Sequence, residues 1–385
     1  MKTKIAILYA SFGGGHKSSA NSIKARLEKY YDVEVELLDY FEYFNKLINR
    51  VSIAVYENIV NLPENFYLSM YESTGSNSKF SDFITDILKL TGIKLIKYFK
   101  KFSPDIVIST HPFATQALSY LKKKKKFDFL LANILTDFEI HKLWFDPSED
   151  IDLFFVSSDT MKKDLIDHGV EEHKICVSGI PIKEAFLKKY DRNEVYDLFK
   201  LNKELKTITF FAGGGQGIAF KDIFKYLKIA LESFTNYNLV IISGKNEKVK
   251  NKIQDLVLET NHKNVKVFSF ISEIPELMSI SSFIISKPGG LTTSESLAMC
   301  TPLIAISPIP GQEVANANHL KENNAGIYLN DIEEAEVLFK KLNNDINEEY
   351  IKSLKENIKK ISHPKSTEVI IEKIFETYEE YKNKN

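Results

Sequence analysis

Cysteine is scarce in this chain. Cys176 and Cys300 are the only two among 385 residues, they lie far apart, and neither belongs to a CxxC or Cys/His spacing. A disulfide framework and a cysteine-bound structural zinc are thereby excluded, and a reducing compartment is expected. Long apolar runs are missing as well: no window approaches the ~18 uninterrupted apolar residues of a spanning helix. The opening run Ile5–Ala10 is shorter than a signal peptide's apolar region and leads straight into Gly13-Gly14-Gly15. The expectation is a cytoplasmic protein, at most peripheral to the inner face of a membrane. Nor is there an excess of either charge. Lys and Arg total 51, Asp and Glu 52, for a formal net charge of -1. A surface that grips nucleic acid along its length is more basic than this, so any anion site is local. What is present is an ordinary soluble composition, 44% hydrophobic and 27% charged, which excludes a disordered chain. A single core stops growing near ~250–300 residues, so two domains are the default.

Short apolar runs alternate with amphipathic segments along most of the length. Lys4–Tyr9, Val33–Leu38, Asp105–Ser109, Leu130–Leu135 and Leu153–Val156 read as buried strands, with helical patterns such as Ser18–Tyr30 and Thr115–Lys123 between them. A second series comprises Thr207–Ala212, Asn238–Ser243, Val265–Phe268, Phe283–Ser286, Leu303–Ile306 and Gly326–Leu329. Its helices include Lys221–Phe234, Glu247–Thr260, Ser294–Met299 and Val314–Asn323. Buried strands alternating with helices imply parallel sheets wound by right-handed crossovers. The fold class is therefore α/β, with two Rossmann-like domains facing each other across a cleft. The boundary falls between Ile182 and Asn202, where a charged helix around Lys183–Lys200 is expected. This gives a first domain of 1–190, a second of 191–365, and a C-terminal helix of 366–385 that can pack back on either.

Three glycine clusters punctuate the two series, each after a strand and before a helix. In the first, Ser11-Phe12-Gly13-Gly14-Gly15-His16-Lys17-Ser18, outward amides and the positive end of a helix dipole suit an anionic or strongly polar oxygen. It is neither a Walker A loop nor a G-x-G-x-x-G fingerprint, since His16 and Ser18 stand where glycines are required. A tight turn alone is the simpler reading. The second is Gly213-Gly214-Gly215-Gln216-Gly217. The third, Lys287-Pro288-Gly289-Gly290-Leu291-Thr292-Thr293-Ser294-Glu295, exposes amides at Gly289 and Gly290, with Thr292 or Thr293 as the expected helix cap. A diphosphate fits those amides, and Glu295, one turn on, can accept two ribose hydroxyls or simply favour the dipole. After the next strand, Pro308-Ile309-Pro310-Gly311-Gln312-Glu313-Val314-Ala315-Asn316 places Gln312, Glu313 and Asn316 on one turn, where their acceptors match sugar hydroxyls. Both motifs lie at the carboxyl edge of a sheet, where open α/β sheets bind ligands.

At these residues the chain resembles the monogalactosyldiacylglycerol synthase and processive diacylglycerol β-glucosyltransferase family. The blocks that carry the resemblance are SFGGGHKSSA, LTDFEIHKLW, SGIPI, FAGGGQG, SKPGGLTTSESLA and PIPGQEVANA, in that order, from about Ile5 to Ala325. The resemblance implies a GT-B fold and an inverting transfer of glucose or galactose from UDP-glucose or UDP-galactose to diacylglycerol. It places diacylglycerol on the first domain and the UDP-sugar on the second, and it implies no metal and no cofactor. Uracil would be held by backbone around Phe270 and Ile271. The diphosphate would lie on Gly289, Gly290 and Leu291 and near Gly214 and Gly215, with Lys287 adding charge and Thr292 close by. Glu295 would take the ribose, and Gln312, Glu313 and Asn316 the sugar or phosphate. Gly14, Gly15, His111 and Trp144 would lie on the acceptor side.

Inversion requires a base that removes the acceptor hydroxyl's proton. His16 is the first candidate, because a helix N-terminus disfavours the imidazolium and keeps a usable base near neutral pH. Asp137 orients His16 or is itself the base, and His111 is a third possibility. No Asp-x-Asp stands at a strand end to hold a metal; Asp150-Ile151-Asp152 precedes a strand. Helix N-termini and amides would stabilise the leaving diphosphate instead. The lipid must come from a bilayer. Asn77–Phe102 carries Lys79, Lys89, Lys94, Lys97, Lys100 and Lys101, with Phe80, Phe83, Ile84, Ile87, Leu88, Leu95 and Ile96 at helical spacing. It reads either as a surface for anionic lipid or as a core helix with a solvated lysine face. The run Lys122–Lys126 is a second basic patch, and Tyr40–Tyr71 a candidate acceptor lip. The competing readings are a peptidoglycan lipid-intermediate N-acetylglucosaminyltransferase, a UDP-sugar epimerase, a non-catalytic UDP-sugar sensor and an NAD-dependent oxidoreductase. The last is weakened by the missing fingerprint.

Overall fold

The computed structural model describes residues 2–10, 14–44, 95–123, 127–145, 148–213, 218–260, 262–344 and 348–384. The chain divides into two compact units, one running to Glu184 and resuming at Lys365, the other Ala185–Pro364.

The first unit is built on a six-stranded parallel sheet in the order β2-β1-β3-β4-β5-β6. Its strands are β1 (Thr3–Tyr9), β2 (Val33–Asp39), β3 (Ile106–Ser109), β4 (Leu130–Ile134), β5 (Leu153–Val156) and β6 (Ile175–Val177). The central strands β3, β4 and β5 are buried at every position, which is why they read as unbroken apolar runs. β2 lies at the edge, and its VEVE alternation keeps Glu34 and Glu36 in solvent. One face of the sheet packs Leu8, Val107, Leu131 and Phe154 against Phe99, Leu118 and Trp144. The other packs Ile7, Ile106, Ala132 and Phe155 under helix Gly14–Tyr30 and the C-terminal helix Ser366–Lys384, through Ile23, Leu27, Ile370 and Ile374. Pro364 ends the second unit, and the helix that follows is held on the first. Ser366 Oγ donates to the Ile180 carbonyl (2.7 Å), Thr367 Oγ1 to that of Ile182 (2.8 Å), and Arg26 pairs with Glu368 (2.9 Å).

The second unit repeats the plan with the order β12-β11-β10-β7-β8-β9. Its strands are β7 (Lys206–Phe211), β8 (Tyr237–Ile242), β9 (Val265–Phe268), β10 (Ser281–Ser286), β11 (Leu303–Ala305) and β12 (Gly326–Tyr328). In each sheet the chain winds outward from one strand and then returns to its other side. The switch points lie between β1 and β3 and between β7 and β10.

Two expectations are corrected, and one of two open readings is favoured. The charged helix around Lys183–Lys200 is two pieces, a 3₁₀ turn at Glu184–Leu187 and a helix Arg192–Phe199. Asp191 caps the latter by accepting from the Asn193 and Glu194 amides, so the helix cannot begin earlier. Val195, Tyr196 and Phe199 pack against Val240, Ile242 and Leu277, which draws this helix into the second unit and puts the division at Glu184 rather than 190. The helix after β10 begins at Gly290 with Gly289 at its cap and no side-chain capping bond, so neither Thr292 nor Thr293 caps it. Finally, of the basic stretch 77–102, only 95–102 lies within the described residues. There Leu95, Tyr98, Phe99 and Phe102 are core and Lys97, Lys100 and Lys101 are exposed, so this end is a core helix with a solvated lysine face.

Candidate active site

At the switch point of the first unit, β1 leads into helix Gly14–Tyr30, whose first turn carries His16, while β3 leads into Thr110 and His111. The two strand ends are bonded to each other. The Thr110 amide donates to the Leu8 carbonyl (3.0 Å) and its hydroxyl to the His16 carbonyl (3.2 Å). His16 Nδ1 lies 2.6 Å from the Thr110 carbonyl and 2.9 Å from Thr136 Oγ1, just past β4. A carbonyl only accepts, so Nδ1 carries the proton and donates it, leaving the lone pair on Nε2. The residue as a whole is half-buried, but Thr110, Thr136, His111 and Trp144 enclose its ring. That desolvation pushes the imidazole pKa down to about 4, the bond to Thr110 opposing it weakly. At neutral pH His16 is an uncharged ring with an unprotonated Nε2, which is the form a general base needs.

His111 is buried, with its ring centroid 4.7 Å from that of His16 in an edge-on arrangement. The Phe113 amide donates to its Nδ1 (3.3 Å), so in the neutral ring Nε2 holds the hydrogen. Burial first, and His16 second, hold its pKa well below the ordinary value. Trp144 is 1% exposed, 6.3 Å centroid to centroid from His16, and its Nε1–H has no hydrogen-bond partner among the described residues. Its backbone is fixed by Asn133, which donates to the Trp144 carbonyl (2.7 Å) and accepts from Thr115 Oγ1 (2.9 Å). Asp137 is half-buried and its carbonyl accepts from Ser157 Oγ (2.7 Å); the orienting bonds at His16 Nδ1 come from Thr110 and Thr136. Gly14 and Gly15 lie in the first turn of the same helix, and a Cβ on Gly14 would meet nothing within 4 Å.

In the second unit a pocket of about 260 Å³ opens at the carboxyl ends of β7, β8, β9 and β10. Phe211, Ile242, Phe270, Ile271 and Ile274 give it apolar walls, and Ser286, Thr292 and Glu295 a polar side. Its size suits a nucleoside rather than a whole sugar nucleotide, since pockets for drug-sized ligands run to ~300–1,000 Å³. Its floor depends on two glycines: a Cβ on Gly213 would stand 2.9 Å from Gly244 Cα, and Gly244 has φ +74°. Alanine at 213 is expected to force the β7 and β8 ends apart at a cost of about 1–3 kcal/mol. A lowered thermal midpoint would register it; an unchanged midpoint would mean the loop yields freely.

Beside the pocket, Lys287 is 8% exposed, and its ammonium has no hydrogen-bond partner among the described residues. Burial lowers its pKa, and Glu313 partly offsets this. Glu313 accepts from the Ile309 amide (2.6 Å), and its own carboxyl is pushed up by burial against the pull of Lys287. Gly290, Leu291 and Thr292 form the first turn of the helix that no side chain caps, so its leading amides are left for a ligand. Gln312 is half-buried at the start of helix Gln312–Glu322, which Gly311 enters at φ +87°. Asn316 is wholly buried, with Nδ2 donating to the Pro288 carbonyl (2.9 Å). Gly214 and Gly215 lie outside the described residues.

The Asp150-Ile151-Asp152 segment is structural. Asp152 accepts from the Leu131 amide (2.6 Å) and pairs with Lys122, which therefore also leaves the basic patch expected at Lys122–Lys126. Among the described residues no group of three or more His, Cys, Asp and Glu could hold a metal, and no helix is long and apolar enough to cross a membrane. Sequence reasoning gave no role to Thr110, Thr136 or Gly244. Each sits one or two residues past a strand end, and that position was the available signal.

Residues 16–182 match the monogalactosyldiacylglycerol (MGDG) synthase family, and residues 208–373 the glycosyltransferase family 28 C-terminal domain. A processive diacylglycerol beta-glucosyltransferase of Bacillus thuringiensis (strain Al Hakam) is 31% identical, over 97% of this chain and 93% of that protein. One from Bacillus licheniformis is 28% identical over 99% of this chain and 96% of that protein. Among solved structures, MurG of Acinetobacter baumannii superposes with a TM-score of 0.64, covering 97% of this chain and 99% of that one at 14% identity. That last likeness is of fold alone, the GT-B arrangement of two Rossmann-like units.

Proposed function

From the premise that the chain belongs to the family of monogalactosyldiacylglycerol synthases and processive diacylglycerol β-glucosyltransferases, we propose that it moves a hexose from a UDP-sugar to diacylglycerol with inversion at the anomeric carbon. The observation that carries the donor half is Lys287. A buried ammonium is costly unless anions complete it; this one has no hydrogen-bond partner among the described residues and only the nearby Glu313 charge, and it stands beside an uncapped helix start where a diphosphate is favoured. Uridine takes the pocket lined by Phe211, Phe270 and Ile271, with Glu295 toward the ribose and Gln312 and Glu313 toward the sugar.

His16 supports the acceptor half. Its Nε2 removes the proton from the diacylglycerol hydroxyl as that oxygen bonds to the anomeric carbon. The bond to the diphosphate oxygen breaks, and UDP leaves with the electron pair. Lys287 and the amides of Gly290 and Leu291 receive the developing charge. Glucose is the favoured hexose because the full-length relatives are named glucosyltransferases. Exposed Lys97, Lys100 and Lys101 fit an electrostatic attraction to anionic lipid on the cytoplasmic face.

The test is thin-layer analysis of lipid products from purified protein, given diacylglycerol with UDP-glucose or UDP-galactose in turn. One glycolipid series with one donor is expected. No product with either donor, from protein that binds UDP, would overturn the transferase reading.

A further inference from the structure

β10 and β11 are neighbours in the second sheet, and the segments that follow them hold the two ends of the proposed donor site. Lys287–Leu291 follows β10, and Gln312–Asn316 follows β11. What ties these segments together is Asn316, which is 0% exposed and donates from Nδ2 to the Pro288 carbonyl at 2.9 Å. The peptide between Pro288 and Gly289 is planar, so its oxygen and its N–H move as one. Asn316 holds the oxygen, and the Lys287 carbonyl accepts from the Gly289 amide at 3.0 Å. Both ends of that peptide are thus pinned, and Pro288 has its φ fixed by its ring. The next residues, Gly290 and Leu291, begin the helix whose first amides no side chain caps. The direction of those amides, and the place of the Lys287 backbone two bonds upstream, follow from how the Pro288 peptide is held.

We infer that Asn316 is a positioning residue and not a sugar ligand: its amide holds the Pro288 peptide so that the Gly290 and Leu291 amides and the Lys287 ammonium converge on one diphosphate. The inference rests on the donor-site reading above. The predicted consequence is selective. A residue that touches the sugar affects UDP-sugar and spares UDP, whereas one that shapes the diphosphate cradle affects both alike.

The experiment is calorimetric titration of the full chain with UDP and with UDP-glucose, alongside steady-state kinetics in donor, for Asn316→Ala and Asn316→Asp. Asp keeps the shape of Asn but, when ionised, cannot donate to a carbonyl. Both variants are expected to lose about tenfold in affinity for UDP and for UDP-glucose alike, with the donor KM raised and kcat/KM lowered by at least the same factor. The thermal midpoint of each variant checks that it is folded, and Asp carries the test if Ala is not. Unchanged UDP affinity with weakened UDP-glucose binding would return Asn316 to the sugar and overturn the inference, as would full retention of both. Wild-type protein that binds no UDP would instead overturn the donor-site reading, and the role of Asn316 with it.

Discussion

His16→Ala is expected to lower transfer by about 10²–10⁴, the range over which positioned general bases act, while UDP affinity stays within about twofold. The separation of effects follows from the architecture. His16 stands at the switch point of the first unit, and every residue assigned to the nucleotide belongs to the second. The pH profile makes the test sharper. An ordinary histidine titrates near 6.5, but desolvation has brought this one to about 4. The acid limb of kcat/KM is therefore expected near 4 in the wild type, with a flat response from about pH 6 to 8. Stability moves in the same direction. The folded-state pKa lies below the unfolded one, so unfolding takes up a proton, and stability is lost as pH falls from about 6.5 toward 4. Circular dichroism across that window separates unfolding from titration of the base. Normal turnover in the alanine variant would move the base to Asp137 or His111.

The strands were legible because parallel sheets covered on both faces need long apolar runs, and eleven of the twelve described strands match such a run to within two residues. The exception is Ile175–Val177, a three-residue strand at the edge of the first sheet. Helix starts were less legible. The helices after β1 and β10 begin at Gly14 and Gly290, several residues before their amphipathic patterns, because a glycine start leaves no side-chain signature. The site residues themselves could be named from strand-end motifs, but their partners could not. Thr110 and Thr136, which set the tautomer of His16, lie 94 and 120 positions away from it along the chain. Only strand order brings them together. The same limit explains Asn316. Its spacing from Gln312 puts it on the turn expected to meet the sugar, but the adjacency of β10 and β11 turns its amide onto Pro288.

Lys287→Met is expected to act in opposite directions on binding and on stability. Met nearly matches the length of Lys and carries no charge, so the variant removes the ammonium and little of the packing. In the wild type that ammonium is buried without a hydrogen-bond partner among the described residues, and only the nearby Glu313 eases its cost. Removing it should raise the thermal midpoint of the ligand-free protein. Part of the gain is returned, because Glu313 loses the cation that holds its raised pKa in check. With ligand the balance reverses: charge-assisted hydrogen bonds to a diphosphate contribute about 1.5–3 kcal/mol, so UDP affinity should fall by roughly 10- to 100-fold. The pH dependence gives an independent check. The folded-state pKa of Lys287 lies below its ordinary 10.5, so unfolding binds a proton and wild-type stability rises as pH climbs from the lowered value toward 10.5. The methionine variant should lack that slope. Calorimetry with UDP and thermal melts between pH 8 and 10.5 read all three effects. A variant that melts lower than wild type and binds UDP equally well would make Lys287 a partner of Glu313 and nothing more. The diphosphate would then need another cation, and the donor site would have to be rebuilt from the helix amides alone.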